Sequence, residues 1–176
     1  MHTASEDFIA RAAMPLAWFY ALAALLNLLA AWYSRRGLRS TFAASAWLVV
    51  AVAFGGLAFL AAARRLLVMP QAAKDALDAA LGPVSFTGGT FVLLAALYVG
   101  RTCFVRPGVA WSLFNASLLF LGTSLTDPEF AATVTKPDNI PIVLMMLLIP
   151  YFLWYGFREA AAHDRLIAQL EADPAL

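Results

Sequence analysis

Residues 15–34 read PLAWFYALAALLNLLAAWYS, a stretch without an Asp, Glu, Lys, Arg, His or Cys. A helix of about 17 to 25 apolar residues crosses the hydrocarbon of a bilayer, so this stretch has the length and composition of a span. Four more stretches of the same kind follow, at roughly 41–63, 84–100, 109–125 and 140–157, and their cores also lack all six residue types. Across the whole chain of 176 residues, 62% are hydrophobic and 13% charged. Mean hydropathy is +0.77. A soluble domain carries about twice that charge. The pattern predicts an all-α integral membrane protein. It is a single membrane domain over residues 1–176, built as a bundle of five transmembrane helices with a short interfacial helix and a C-terminal helical tail over 158–176.

The flanks set an orientation. The N-terminal MHTASEDFIARAAMP carries Glu6, Asp7 and one arginine, which is not the basic start of a secretory signal. Arg35, Arg36 and Arg39 follow the first stretch at once, as at the inner end of a retained anchor. With the N-terminus outside and the C-terminus inside, the inner segments hold Arg35, Arg36, Arg39, Arg101, Arg106, Arg158 and Arg165. The outer ones hold Arg11, Arg64, Arg65, Lys74 and Lys136. Positive charge is then in excess inside, with Arg64–Arg65 as the contrary pair. The expected location is the cell inner membrane.

Pro70 and Gly82 bracket a segment with Ala73, Leu77, Ala80 and Leu81 on one side and Lys74, Asp75 and Asp78 opposite. That pattern predicts a short helix on the membrane surface, with a lid over a site as the functional alternative. The tail from Arg158 places Ala162, Leu166, Ile167 and Leu170 at helical spacing, so it should continue the fifth helix until Asp173–Pro174 stops it. Aromatics at Trp18, Phe19, Tyr20, Trp32, Tyr33, Trp111, Tyr151, Trp154 and Tyr155 read as an interfacial belt. Gly55–Gly56 and Gly88–Gly89 should let helices approach closely, and Pro150 should kink its span.

Ionisable groups at membrane depth mark relays, ion paths and cofactor ligands. The cores of these stretches supply none, so the chain alone offers no axial histidines for a haem, no carboxylate relay and no di-iron ligand set. Its single cysteine, Cys103, excludes an internal disulfide and a thiolate metal cage. A net charge of +1 gives no field for nucleic acid. What remains is weakly polar. Asn27 and Asn115 lie within two of the spans, where an amide must find a hydrogen-bond partner; helix packing or contact with a quinone or lipid would each provide one. Arg101 and Arg106 flank Cys103 and serve as anionic-lipid contacts or as topology markers. No metal is expected, and no cofactor held by this chain alone, though a quinone or lipid at a subunit interface is compatible with the pattern.

The richest polar segment is TDPEFAATVTKPDNIP, residues 126–141, with Asp127, Glu129, Lys136, Asp138 and three prolines. It reads as a stiff outer loop, either a solvated connector or a docking surface for a partner. The order Asp127-Pro128, Val134-Thr135, Pro137, Ile140-Pro141, then an apolar helix, resembles the outer quinol-site segment of cytochrome b-type electron-transfer subunits. The resemblance covers about 20 of 176 residues. Ile142 and Val143 stand where that family has its Glu and Trp, and the haem histidines are missing. The resemblance therefore implies an outer-face segment of an electron-transfer complex without a quinol-oxidising glutamate.

Three function classes follow as expectations. The first is a non-catalytic membrane subunit, an anchor or scaffold bordering a quinone site, of a respiratory or photosynthetic electron-transfer complex. Its partners would be other membrane subunits and a haem- or iron–sulfur-bearing protein. The second is a stand-alone transporter or channel for a neutral or lipophilic solute. The third, a lipid or quinone enzyme, would have to draw on Asp127, Glu129 and Asp138.

Overall fold

The computed structural model describes residues 2–172, and the side chains of all of these except 2–5 and 147. Every regular element among them is a helix: α1 His2–Arg36, α2 Thr41–Ala62, α3 Gln71–Ala80, α4 Pro83–Val99, α5 Arg101–Phe104, α6 Pro107–Ser124, α7 Pro128–Val134 and α8 Ile140–Ala172. Prolines open α4, α6 and α7, because a first-turn residue has no intrahelical acceptor for its N–H and proline lacks that donor. Ser40 caps α2 by accepting from the Ala43 N–H at 3.2 Å. The end of α2 is closed by Arg64, which takes a left-handed φ of 59°. The Arg65 N–H then donates back to the Leu60 carbonyl at 2.8 Å.

Two boundaries differ from the sequence reading. Helix α1 does not begin near Pro15 but includes it. One proline removes a single backbone donor, and the alanine-rich turns on either side of it are strong helix formers. The 126–141 segment is not all loop, since α7 occupies residues 128–134. Helix α8 carries the tail through Ala172 as expected; the stop at Asp173–Pro174 lies outside the described residues.

Among the described residues, three helices are long and apolar enough to cross a membrane: residues 6–36 of α1, α2 and α8. Two bent pairs meet the same measure together, α3 with α4 at 80° and α6 with α7 at 112°, which makes up to five if each pair is one span. A 17-residue helix such as α4 is about 26 Å long, slightly short of the hydrocarbon thickness.

By internal contacts the chain divides into two compact units. The first comprises Met1–Pro70 with Asn115–Thr133, the second Gln71–Phe114 with Val134–Leu176. In the first unit α1 packs along α2 and buries Leu16, Ala17, Tyr20, Ala23 and Ala24 together with Phe54 and Ala61. Leu118 of α6, and Leu125 just beyond its end, pack against this core. Alanine is prominent there because small side chains let helix backbones approach closely. The glycine pairs make no such contact among the described residues. A Cβ added at Gly55, Gly56, Gly88 or Gly89 would meet nothing within 4 Å.

In the second unit α4 has no buried residue among those described. Helix α8 meets the single turn α5, where Asp164 pairs with Arg101, and its Phe157 ring lies 6.5 Å from that of Tyr98 on α4; Ala161 between them in sequence is 1% exposed. The tail stripe of Leu166, Ile167 and Leu170 is exposed instead.

Candidate functional sites

The most deeply buried polar group belongs to α1. The Asn27 side chain is fully enclosed, and its Nδ2 donates to the Ala23 carbonyl at 2.9 Å and to Asn115 Oδ1 of α6 at 2.6 Å. Two turns earlier on α1, the Tyr20 ring lies against Gly122, two turns later on α6. A Cβ at Gly122 would fall 2.6 Å from the tyrosine oxygen, so only glycine fits there. As α1 numbering rises from 20 to 27, α6 numbering falls from 122 to 115. The two contacts therefore fix these segments as antiparallel.

Ser34 continues the same spacing of seven and is also buried. Tyr20, Asn27 and Ser34 thus form one polar line on the packed face of α1. Its chemistry is limited: both amides are engaged, and the Tyr20 hydroxyl makes no hydrogen bond among the described residues.

The sequence placed Tyr20 in the interfacial belt with its neighbours. The structure separates them, with Trp18 73% exposed and Tyr20 2% exposed. The recurrence of polar residues every seven positions, matched by the same interval between Asn115 and Gly122, was the available signal.

Arg101 and Arg106 fare differently from each other. Arg101 Nε and Nη2 reach Asp164 Oδ2 at 2.8 and 2.6 Å. Its Nη1 donates to the Tyr98 carbonyl at 3.0 Å, and the guanidinium sits 4.7 Å from the centre of the Tyr98 ring. This arginine ties α5 to α8. Arg106 is exposed in the turn before α6, and Cys103 is exposed beside it.

In the 126–141 segment, Asp127 Oδ1 accepts from the N–H groups of Glu129 and Phe130 at 3.0 and 3.1 Å. It therefore caps α7, with Pro128 in the first helical position, and the Asp-Pro-Glu order was the sequence signal for that helix. Glu129 is exposed on α7. Lys136 and Asp138 are exposed in the turn before α8, where the Lys136 carbonyl accepts from Asn139 N–H at 2.9 Å. Asp127 and Glu129 belong to the first unit, Lys136 and Asp138 to the second.

Among the described residues, no group of three His, Cys, Asp or Glu side chains is placed to hold a metal ion. No protein-family model matches the chain, and neither does any curated protein or solved structure.

Proposed function

We propose that this chain is a non-catalytic integral membrane subunit, an anchor and scaffold, of a multi-subunit respiratory or photosynthetic electron-transfer complex. The observation that carries the anchoring role is the use made of its polar groups. Asn27 and Asn115 bond to each other rather than lining a cavity, while the apolar window of α8 has none of its residues buried within the chain. Such a helix leaves most of its apolar surface open to lipid or to another membrane protein. The electron-transfer assignment rests on the resemblance of residues 127–141 to the cytochrome b segment. A quinone or lipid would then sit at a subunit interface, with the outer segment around Glu129, Lys136 and Asp138 meeting a haem- or iron–sulfur-bearing partner.

In this reading each bent pair counts as one span, giving five, in the cell inner membrane with the N-terminus outside. Purification in a mild detergent tests the proposal. A coloured complex with a haem or iron–sulfur spectrum is the expected product. A colourless chain that by itself carries a solute into liposomes would instead establish a transporter, a reading the closed Asn27–Asn115 pair disfavours.

A further inference from the structure

The last turn of α1 and the turn that follows it bring three arginines, Arg35, Arg36 and Arg39, within five residues. All three are exposed, and among the described residues none makes a hydrogen bond or ion pair through its side chain. The turn that carries them is tightly tied. Gly37 N–H donates to the Tyr33 carbonyl at 2.7 Å, Ser40 N–H to the Ser34 carbonyl at 2.9 Å, and the Tyr33 ring closes over Gly37. Arg39 holds a left-handed backbone, φ 51°, which a non-glycine residue rarely adopts. Trp32 and Tyr33 are exposed immediately before the arginines, as aromatic rings are at the headgroup level of a membrane helix.

Arg101 gives the contrast. Its guanidinium already has a carboxylate, a carbonyl and a ring, so its fork is filled from within the chain. The three arginines of the α1–α2 turn have no such internal partner, and a guanidinium pairs with phosphate oxygens through two parallel N–H donors.

We propose that the α1–α2 turn binds the phosphate of an anionic phospholipid headgroup through Arg35, Arg36 and Arg39. The inference rests on the membrane reading but not on the electron-transfer assignment. The lipid's acyl chains would lie along the exposed apolar residues of α1, Leu25, Leu28 and Leu29.

The purified chain is reconstituted in phosphatidylcholine nanodiscs and titrated with dansyl-labelled phosphatidylglycerol, with energy transfer from tryptophan as the readout. Saturable transfer is expected, with affinity falling about fivefold for each arginine removed in R35Q, R36Q and R39Q. The triple lysine variant keeps the charge, and with it the orientation, and should retain most of the affinity while losing part of it with the bidentate geometry. R101Q should leave the titration unchanged. Equal transfer by the wild type and the triple glutamine variant would overturn the proposal, as would loss of transfer in R101Q. Displacement of the lipid by millimolar inorganic phosphate would assign the site to a free anion and also overturn it. Carbonate extraction separates the two failures: release of the chain into the soluble fraction refutes the membrane reading, whereas retention with an unresponsive triple variant refutes only the lipid site.

Discussion

The α1–α2 unit and the α4–α8 unit solve the problem of being apolar in different ways. In the first, a third of the most apolar stretch of α1 is buried within the chain; in α8 none of the corresponding stretch is. The first unit has the small residues and the amide pair that hold helices together in lipid. The second is joined, among the described residues, by the contact of α5 with α8 and by the Tyr98 ring against Phe157, while Phe152 of α8 is 63% exposed. Hydrophobicity alone does not join helices in a bilayer, because lipid tails are as apolar as leucine. Complementary small surfaces and polar pairs do: the first unit has its alanine-rich seam and the Asn27–Asn115 amides, the second the Arg101–Asp164 ion pair.

Gly122→Val breaks the comparison most strongly. The new side chain has no room beside the Tyr20 ring, and overpacking of this kind costs about 1–3 kcal/mol. A clear fall in thermal unfolding temperature in detergent is expected. Gly56→Ala, which adds a methyl group to open space, should leave it within error.

The amide pair comes next. Asn27→Leu removes the Nδ2 donor to Asn115 Oδ1 from a buried seam and should cost about 1–2 kcal/mol. The double change Asn27→Leu with Asn115→Leu removes both polar groups and should recover part of the loss. A double-mutant cycle measures the coupling, expected near 0.6 kcal/mol and at most about 1.7. Strict additivity would show that the pair contributes no registry.

The smallest effect belongs to the second unit. Arg101→Gln loses an ion pair whose Asp164 side chain is 43% exposed, a loss of under about 1 kcal/mol. Hydrogen exchange should rise at residues 158–172 and stay unchanged in α1.

The helical character, the uncharged stretches and the continuation of α8 into the tail were legible because each depends on composition or on a period of 3.6 residues. The α7 helix was hidden by its prolines, which read as loop stiffness although Pro128 sits where a helix accepts it. Gly122 was hidden for a different reason. Glycine doublets attract notice as packing positions, yet the tight contact needed a tyrosine on another helix about a hundred residues away, a pairing that no local pattern encodes. Asn27 and Asn115 were each recognisable as groups that must find a partner. That they find each other is a fact of the antiparallel register. Arg101 was read by its position beside the apolar stretches, whereas its partner Asp164 lies 63 residues on, beyond two intervening helices.

The most direct test of the account places a photo-crosslinking amino acid at Phe152 of α8, in cells, with the same residue at Leu16 of α1 as the buried reference. The account predicts that the Phe152 probe joins this chain to a second membrane polypeptide within a complex carrying haem or iron–sulfur, while the Leu16 probe gives only internal adducts. Lipid adducts alone at Phe152, from a chain that migrates by itself, would contradict it.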